Sequence, residues 1–71
     1  MESASAAPTL ELPAHSLQRA GIGRSRAYEL IARGEFPKPV KLGRSSRFVS
    51  TEIDAWIAAR IAERDAKGGA T

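Results

Sequence analysis

The sequence contains no cysteine and a single histidine, His15, among its 71 residues. Without cysteine the chain forms no disulfide and offers no thiolate to a metal, and one histidine does not build a usual zinc site. We therefore expect neither a metal nor any other cofactor, and we assign His15 to the surface or to a helix cap. The lack of cysteine also fits a protein of the reducing cytoplasm.

Long apolar runs are absent as well. No stretch approaches the roughly 20 apolar residues that a helix needs to cross a bilayer. The N-terminal segment MESASAAPTLELPA lacks the basic start and the apolar centre of a signal peptide. We therefore expect no membrane contact and an intracellular location.

Catalytic motifs are the third absence. The sequence shows no nucleophile–base pair, no glycine-rich phosphate loop and no spacing typical of a metal cluster. Glu52 and Asp54 resemble a catalytic acid pair, but they fall in the first turn of a predicted helix, where acidic residues are ordinary. We therefore do not expect an enzyme.

Positive charge, in contrast, is concentrated in the middle of the chain. Residues 15–50 contain eight Lys or Arg against two Glu, a net charge of +6. Residues 1–14 carry −2 and residues 51–71 carry −1, so the formal total of +3 understates the asymmetry. A basic segment of this kind is the electrostatic signature of a nucleic-acid-binding surface.

The composition also suggests the domain boundaries. Residues 1–10 are rich in Ala, Ser, Pro and Thr, and we expect a disordered tail there. Residues 67–71 (KGGAT) are expected to form a flexible C-terminal tail, with Gly68 ending the last helix. Residues 11–66 then form one small domain, whose core must be compact because chains of about 60 residues bury only about 60% of their unfolded surface.

The first half of this domain predicts two short helices. Pro13 suits the first turn of a helix over 13–20, which would bury Leu17 and Ala14 and end at Gly21. A second helix, over about 24–33, has three apolar residues at the i, i+3, i+4 spacing of a single buried face. These residues are Ala27, Leu30 and Ile31. Gly34 is expected to end this helix.

A hairpin and a third helix follow. Pro37 and Pro39 force an extended connection. We predict strands at 40–42 and 47–49, joined by a turn at 43–46, with Val40, Leu42 and Phe48 packed on the helices because an isolated hairpin is unstable. The last helix, over about 51–66, would be capped by Ser50 or Thr51 and anchored in the core by Trp56. Its apolar stripe consists of Ile53, Trp56, Ile57 and Ile61.

The predicted fold is therefore mostly α with a small two-stranded antiparallel hairpin, a winged helix-turn-helix in the order helix-helix-hairpin-helix. The segment GIGRSRAYELIARGEFPKPVKLGRSSRFVSTEIDAWI resembles the AlpA-like phage regulators and the related excisionase-type, MerR-like winged-helix domains. The shared features are a helix with a Y-x-L-I pattern, an F-P-x-P-x-K-L-G connection and an E-I-x-x-W helix. The resemblance covers about residues 10–62.

The resemblance implies a sequence-specific, double-stranded-DNA-binding protein of a prophage or plasmid. Such proteins act on nucleoid DNA in the bacterial cytoplasm, either as excisionases (recombination directionality factors) or as transcriptional regulators of an integrase gene. Three positions depart from the common pattern. Gly23 replaces a Ser or Thr that would cap the second helix, Arg26 replaces a Thr, and Phe48 replaces a Trp.

Ten residues are candidates for DNA contact. In a helix-turn-helix the start of the second helix meets base edges in the major groove, and Arg suits the guanine edge. A basic hairpin tip suits phosphates or the adjacent minor groove. The candidates are Arg24, Ser25, Arg26 and Tyr28 on the helix, and Lys38, Lys41, Arg44, Ser45, Ser46 and Arg47 around the hairpin. The alternative for Tyr28 is a side chain that only packs, and the alternative for Lys38 and Lys41 is a solvated charge without a DNA contact.

Several alternatives stay open from the sequence. A domain of this size buries a modest area on DNA, so binding as a homodimer or as a cooperative array on repeated sites is expected. A rival function is that of a protein-interaction module that docks an integrase or other partner through its C-terminal helix. The sequence does not distinguish an excisionase from a transcriptional regulator.

Overall fold

The computed structural model describes residues 7–68. Over this range the chain forms three helices, α1 (Pro13–Ala20), α2 (Arg24–Ala32) and α3 (Ser50–Gly68). It also forms three strands, β1 (Leu10–Glu11), β2 (Val40–Leu42) and β3 (Ser45–Val49). The mostly helical winged helix-turn-helix is confirmed, whereas the sheet has three strands instead of two. Residues 1–6 and 69–71, which belong to the predicted tails, lie outside the described residues.

The additional strand is β1, and it begins inside the segment whose composition predicts a disordered tail. Leu10 pairs with Val49 and Glu11 with Phe48, so that the antiparallel sheet has the order β1-β3-β2. Just before β1, the backbone N–H of Thr9 donates to Ser50 Oγ at 2.8 Å, and Thr9 O accepts from the Ser50 N–H at 2.8 Å. A two-residue strand has no recognisable alternation in the sequence. The exposed edge of β3 is what orders it.

The helix ends follow local sequence closely. Gly21 adopts φ 74° and donates its N–H to Leu17 O and Gln18 O, which stops α1 as predicted. Gly34 has φ 75° and ends the turn after α2. α3 instead continues past the predicted end at residue 66 and includes Lys67 and Gly68. In α1 the residue buried beside Leu17 is Ser16, while Ala14 lies on the exposed face.

The core lies where α1, α2, the connection after α2, β3 and α3 meet. Its buried apolar residues are Leu17, Ala27, Leu30, Phe36, Phe48 and Ile53. The rings of Phe36 and Phe48 pack edge to face, with centroids 5.6 Å apart. Phe48 and Ile53 are fully buried, whereas Trp56 is half-buried at the margin. The centre of the core is therefore Phe48, and the prediction that Trp56 would be the main anchor needs this correction.

The hairpin is tighter than predicted, and its apolar residues face the other way. β2 pairs with β3 in the register Val40–Arg47, Lys41–Ser46 and Leu42–Ser45, which leaves only Gly43 and Arg44 in the turn. Since paired residues share a face and neighbours alternate, Val40 and Leu42 lie opposite to Phe48. They are 38% and 48% exposed. The prediction that they pack on the helices is wrong.

A polar cluster joins β1, α1 and α3. Arg19 Nη1 donates to Asp54 Oδ1 at 2.7 Å, and Arg19 Nη2 lies 3.2 Å from Glu11 Oε2. The buried Ser16 hydroxyl donates to Glu11 Oε1 at 2.7 Å. The hydrogen bond to Asp54, together with the charge of Glu11, raises the pKa of Arg19 above its ordinary value. This cluster, which we call the Arg19 clasp (Glu11, Ser16, Arg19 and Asp54), fixes the N-terminal strand to the helices.

Candidate nucleic-acid interface

The turn between α1 and α2 places the start of α2 at the surface. Gly21, Ile22 and Gly23 connect the two helices, and Ile22 packs against the core. Gly23 is the N-cap residue and, among the described residues, no side chain caps the helix there. The first turn of α2 likewise contains no acidic residue. The positive end of the helix dipole is therefore open to an anion.

Arg24, Ser25 and Arg26 occupy this first turn, and all three are exposed. Two arginines at a helix N-terminus oppose the dipole, an arrangement that a bound polyanion would relieve. No carboxylate within residues 7–68 forms an ion pair with Arg24. Its guanidinium is thus available to a ligand.

Arg26 differs because it is paired on its own helix. Its Nη1 donates to Glu29 Oε1 at 2.8 Å, and Arg33 Nη2 lies 3.4 Å from Glu29 Oε2. The hydrogen bond from Arg26, followed by the charges of Arg26 and Arg33, lowers the pKa of Glu29. Glu29 is not among the residues predicted for the site, although its i, i+3 and i, i+4 spacing from the two arginines is readable from the sequence.

Tyr28 lies one turn beyond the start of α2. It is 44% exposed, so its side chain is only partly packed. Tyrosine in such a position offers both an apolar face and a hydrogen-bond donor to a bound molecule.

The hairpin carries the second group of predicted contacts. Arg44 sits in the two-residue turn after Gly43, whose φ of 64° allows the tight reversal. Arg44 and Ser45 are exposed, and Ser46 and Arg47 are half-buried. Arg47 Nη1 donates to Ser46 O at 2.9 Å, so its guanidinium is bonded to the backbone of its own strand.

Lys38 and Lys41 complete the set. Both are exposed, and the part of the chain that the structure describes gives neither of them an ion-pair partner. α2 and the hairpin are fixed to each other through the core, which Leu30 and Phe48 share. One domain with a shared core therefore presents two basic elements.

A groove lies elsewhere on the domain, between the connection after α2 and the outer side of α3. It has a volume of about 710 Å³. Phe36 and Trp56 line it, with ring centroids 4.9 Å apart, and the Trp56 indole N–H donates to Glu35 O at 2.8 Å. Its charged lining residues are Glu35, Glu52, Arg60 and Glu63. Sequence reasoning missed this groove because Glu35 and Trp56 are 21 positions apart.

The groove is lined by more acidic than basic side chains, in contrast to the start of α2 and the hairpin. Arg60 lies over the Trp56 ring at 5.4 Å and pairs with Glu63 at 2.6 Å. Within residues 7–68, Glu35 and Glu52 take part in no ion pair. Gly34 and Glu35 follow the C-terminal end of α2, about 13 Å along the helix axis from its basic start. DNA phosphates would be repelled from the groove.

The sequence model of one protein family, described as prophage CP4-57 regulatory protein (AlpA), matches residues 14–61. The chain belongs to the AlpA family. The match spans α1, α2, the hairpin and most of α3, so that both basic elements lie inside the family's own segment. AlpA proteins are described as regulatory, which agrees with the functional class expected from the sequence.

A curated relative is also a phage protein. The uncharacterized protein ORF88 of Enterobacteria phage P4 is 49% identical over 45 residues. The aligned segment covers 62% of this AlpA-family chain and 51% of the phage protein, so the chain spans about half the length of this relative. No solved structure matches the chain. None of the helices within residues 7–68 is long and apolar enough to cross a membrane.

Proposed function

We propose that this AlpA-family protein binds double-stranded DNA sequence-specifically and serves a mobile element of the prophage or plasmid type. The observation that carries the proposal is the open N-terminus of α2, where Arg24 has no ion-pair partner within the described residues and Gly23 adds no capping side chain. α2 enters the major groove, and its first turn reads base edges.

The hairpin supplies the second contact. Arg44 and Arg47 meet phosphates or the adjacent minor groove, while Ser45 and Ser46 donate hydrogen bonds to the backbone. Lys38 and Lys41 add electrostatic attraction, and Tyr28 donates to a phosphate. The net charge of +6 on segment 15–50 supports this role.

The finer function rests on size and family. A single domain of this kind covers about 600–1,000 Å² of DNA, so we propose that it acts as a homodimer or as a cooperative array on repeated sites in the bacterial cytoplasm. It either regulates transcription of an integrase gene or directs recombination toward excision. The description of the family as a prophage regulatory protein supports the first role and does not test the second.

A salt series tests DNA binding. Duplexes enriched by the protein from a random library are compared with an unselected duplex of equal length. We expect tighter binding to the enriched duplexes than to the unselected duplex, and we expect this difference to persist at physiological salt. The logarithm of the binding constant should fall linearly with the logarithm of the salt concentration. Equal and weak binding to both duplexes that disappears with salt would reduce the basic face to an electrostatic patch and overturn the proposal.

Two assays separate the finer roles. An excisionase stimulates recombination between the attachment sites of its element in the presence of the integrase. A transcriptional regulator changes expression from the integrase promoter in a strain that lacks the attachment sites. Activity in one assay alone assigns the role.

A second candidate function follows from the groove beside Trp56. An aromatic surface flanked by the carboxylates of Glu35 and Glu52 suits a basic segment with an apolar anchor, such as a segment of the integrase. Charge reversal by Glu35→Lys with Glu52→Lys should abolish binding to purified integrase in the absence of DNA, while Asp65→Asn on the far part of α3 should leave it unchanged. Equal integrase binding by both variants would exclude the groove.

A further inference from the structure

The outer face of the hairpin exposes two apolar side chains that do not pack in the core. Val40 and Leu42 are 38% and 48% exposed on β2, on the face opposite to the buried Phe48. Their cross-strand partners are Arg47 and Ser45, which belong to the proposed DNA interface. Leu42 is the residue immediately before the Gly43–Arg44 turn, so it lies at the base of the hairpin tip.

The position of Leu42 is not explained by packing or by strand pairing. The buried core is formed by other residues, and Leu42 is absent from the side chains that pack around it among residues 7–68. β2 is an edge strand, but it is only three residues long and has Lys41 at its centre. Short edge strands that carry lysine are a device against pairing with another chain. The β2 edge is therefore poorly suited to pairing with a strand of a second copy of the chain.

The surroundings of Leu42 favour DNA. Proteins that bend DNA from the minor groove insert apolar side chains between base pairs while neighbouring cationic side chains hold the adjacent backbone. Leu42 has Arg44 two residues away and Ser45 directly across the strand pair, and Lys41 precedes it. An exposed aliphatic side chain beside such donors matches this chemistry.

We propose that Leu42 is a wedge that inserts between two base pairs in the minor groove and bends the duplex. The proposal rests on the DNA-binding function above and adds a specific action to the hairpin. Arg44 holds the flanking phosphates, whereas Val40, which lies two residues farther from the turn than Leu42, stays outside the interface. Easily unstacked pyrimidine–purine steps at the hairpin position are then preferred, although the protein makes no base-specific hydrogen bond there.

The test measures bending on a duplex that the full chain has enriched from a random library. End-to-end energy transfer reports the bend, and 2-aminopurine at the step under the hairpin reports unstacking. The wild-type chain should bend the duplex by about 20° or more and raise the 2-aminopurine fluorescence. Leu42→Ala should bind the same duplex with loss of the bend and of the fluorescence rise, whereas Leu42→Met should retain both.

Two controls make the result specific to the wedge. Val40→Ala removes an apolar side chain from the same face and should leave the bend unchanged. The thermal unfolding midpoint of Leu42→Ala should equal that of the wild-type chain, because the side chain is half exposed and outside the core.

Other outcomes overturn the inference. A bend that persists in Leu42→Ala, or a wild-type chain that binds specifically to straight DNA, rejects the wedge and leaves the DNA-binding function intact. A wild-type dimer in sedimentation that Leu42→Ala dissociates would assign this face to a second copy. Failure of the selection to enrich any duplex would reject the DNA-binding function itself.

Discussion

At the scale of single residues, Arg24 and Arg26 occupy the same turn of α2 but have different surroundings. Arg26 is held by Glu29 at 2.8 Å, whereas no carboxylate in the described part of the chain pairs with Arg24. A guanidinium without an ion pair binds a base at a smaller cost in free energy, since no ion pair has to be broken first. The two positions are therefore expected to contribute unequally to DNA recognition.

The first prediction concerns base reading by Arg24. Arg24→Ala should weaken binding to the selected site by about 1–3 kcal/mol and relax the preference at one base pair. Arg44→Ala is the matched comparison, because removing a phosphate-binding side chain from the hairpin should weaken all sequences alike and reduce the salt slope by roughly one unit. Equal losses on selected and random DNA for Arg24→Ala would rule out base reading.

The second prediction concerns the Arg26–Glu29 pair. Glu29→Gln removes a negative charge from the proposed DNA-facing helix and frees Arg26, so binding to any duplex should become tighter and the salt slope steeper. Glu63→Gln, which frees Arg60 on α3, should leave DNA binding unchanged. A Glu29→Gln variant with unaltered affinity would place Arg26 and Glu29 outside the interface.

The same pair is expected to make the stability depend on pH. Because Arg26 lowers the pKa of Glu29 in the folded state, the pair stabilises the fold above the unfolded pKa, and this contribution is lost as the pH falls through the folded pKa. NMR titration should give Glu29 a midpoint below that of a model glutamate, and Arg26→Ala should raise it. An unchanged midpoint in Arg26→Ala would attribute the lowered pKa to Arg33.

At the scale of elements, the Arg19 clasp determines whether the two-residue strand β1 stays on the sheet. Two backbone pairs with β3 are too few to hold an isolated strand. The guanidinium of Arg19 adds bonds to Glu11 on one side and to Asp54 on the other, and it reaches Ser50 O at 3.3 Å. A side chain on α1 thereby connects the N-terminal strand to the start of α3.

The clasp gives a prediction for stability. Arg19→Ala should lower the free energy of unfolding by about 1 kcal/mol, because it breaks a network instead of one exposed pair. It should also increase amide exchange at Glu11 and at Ser50. Arg64→Ala, which removes the exposed pair with the adjacent Asp65, should change stability by less than about 0.5 kcal/mol. Equal effects of both variants would contradict a special role for the clasp.

At the scale of the whole molecule, one small core connects both proposed DNA-contacting elements. Phe48 contributes from β3, Leu30 from α2 and Ile53 from α3. Because so few of residues 7–68 are buried, no second core among them compensates when one of the core residues is removed. The relative position of α2 and the hairpin, and hence the DNA interface, depends on this cluster.

The core prediction separates Phe48 from Trp56. Phe48→Ala should cost about 3–5 kcal/mol, which is most of the stability of a domain this small, and should leave the chain largely unfolded by circular dichroism at room temperature. Phe48→Leu nearly conserves the volume and should keep the fold with a lower melting temperature. Trp56→Ala should cost less than Phe48→Ala because its ring is only half-buried. A larger loss of stability in Trp56→Ala than in Phe48→Ala would place the centre of the core at Trp56.

Local sequence determined most of the helical structure. The i, i+3, i+4 spacing of Ala27, Leu30 and Ile31 set the face of α2, and glycines with positive φ ended α1 and the turn after α2. These features depend on neighbours within one or two turns, so a single sequence suffices to predict them. The basic character of α2 and the hairpin is likewise evident from the charges alone, and none of the predicted contact residues in them is buried in the core.

The tertiary structure alone decided which face of the hairpin is buried and how the N-terminal segment is ordered. Alternation of Val40, Lys41 and Leu42 is compatible with either face, and only the register with β3 places Leu42 opposite to Phe48. β1 forms because β3 offers a free edge and Arg19 a partner for Glu11, both remote in sequence. The groove beside Trp56 arises in the same way. Short-range patterns are thus determined by the sequence itself, while contacts between distant residues exist only once the core has brought them together.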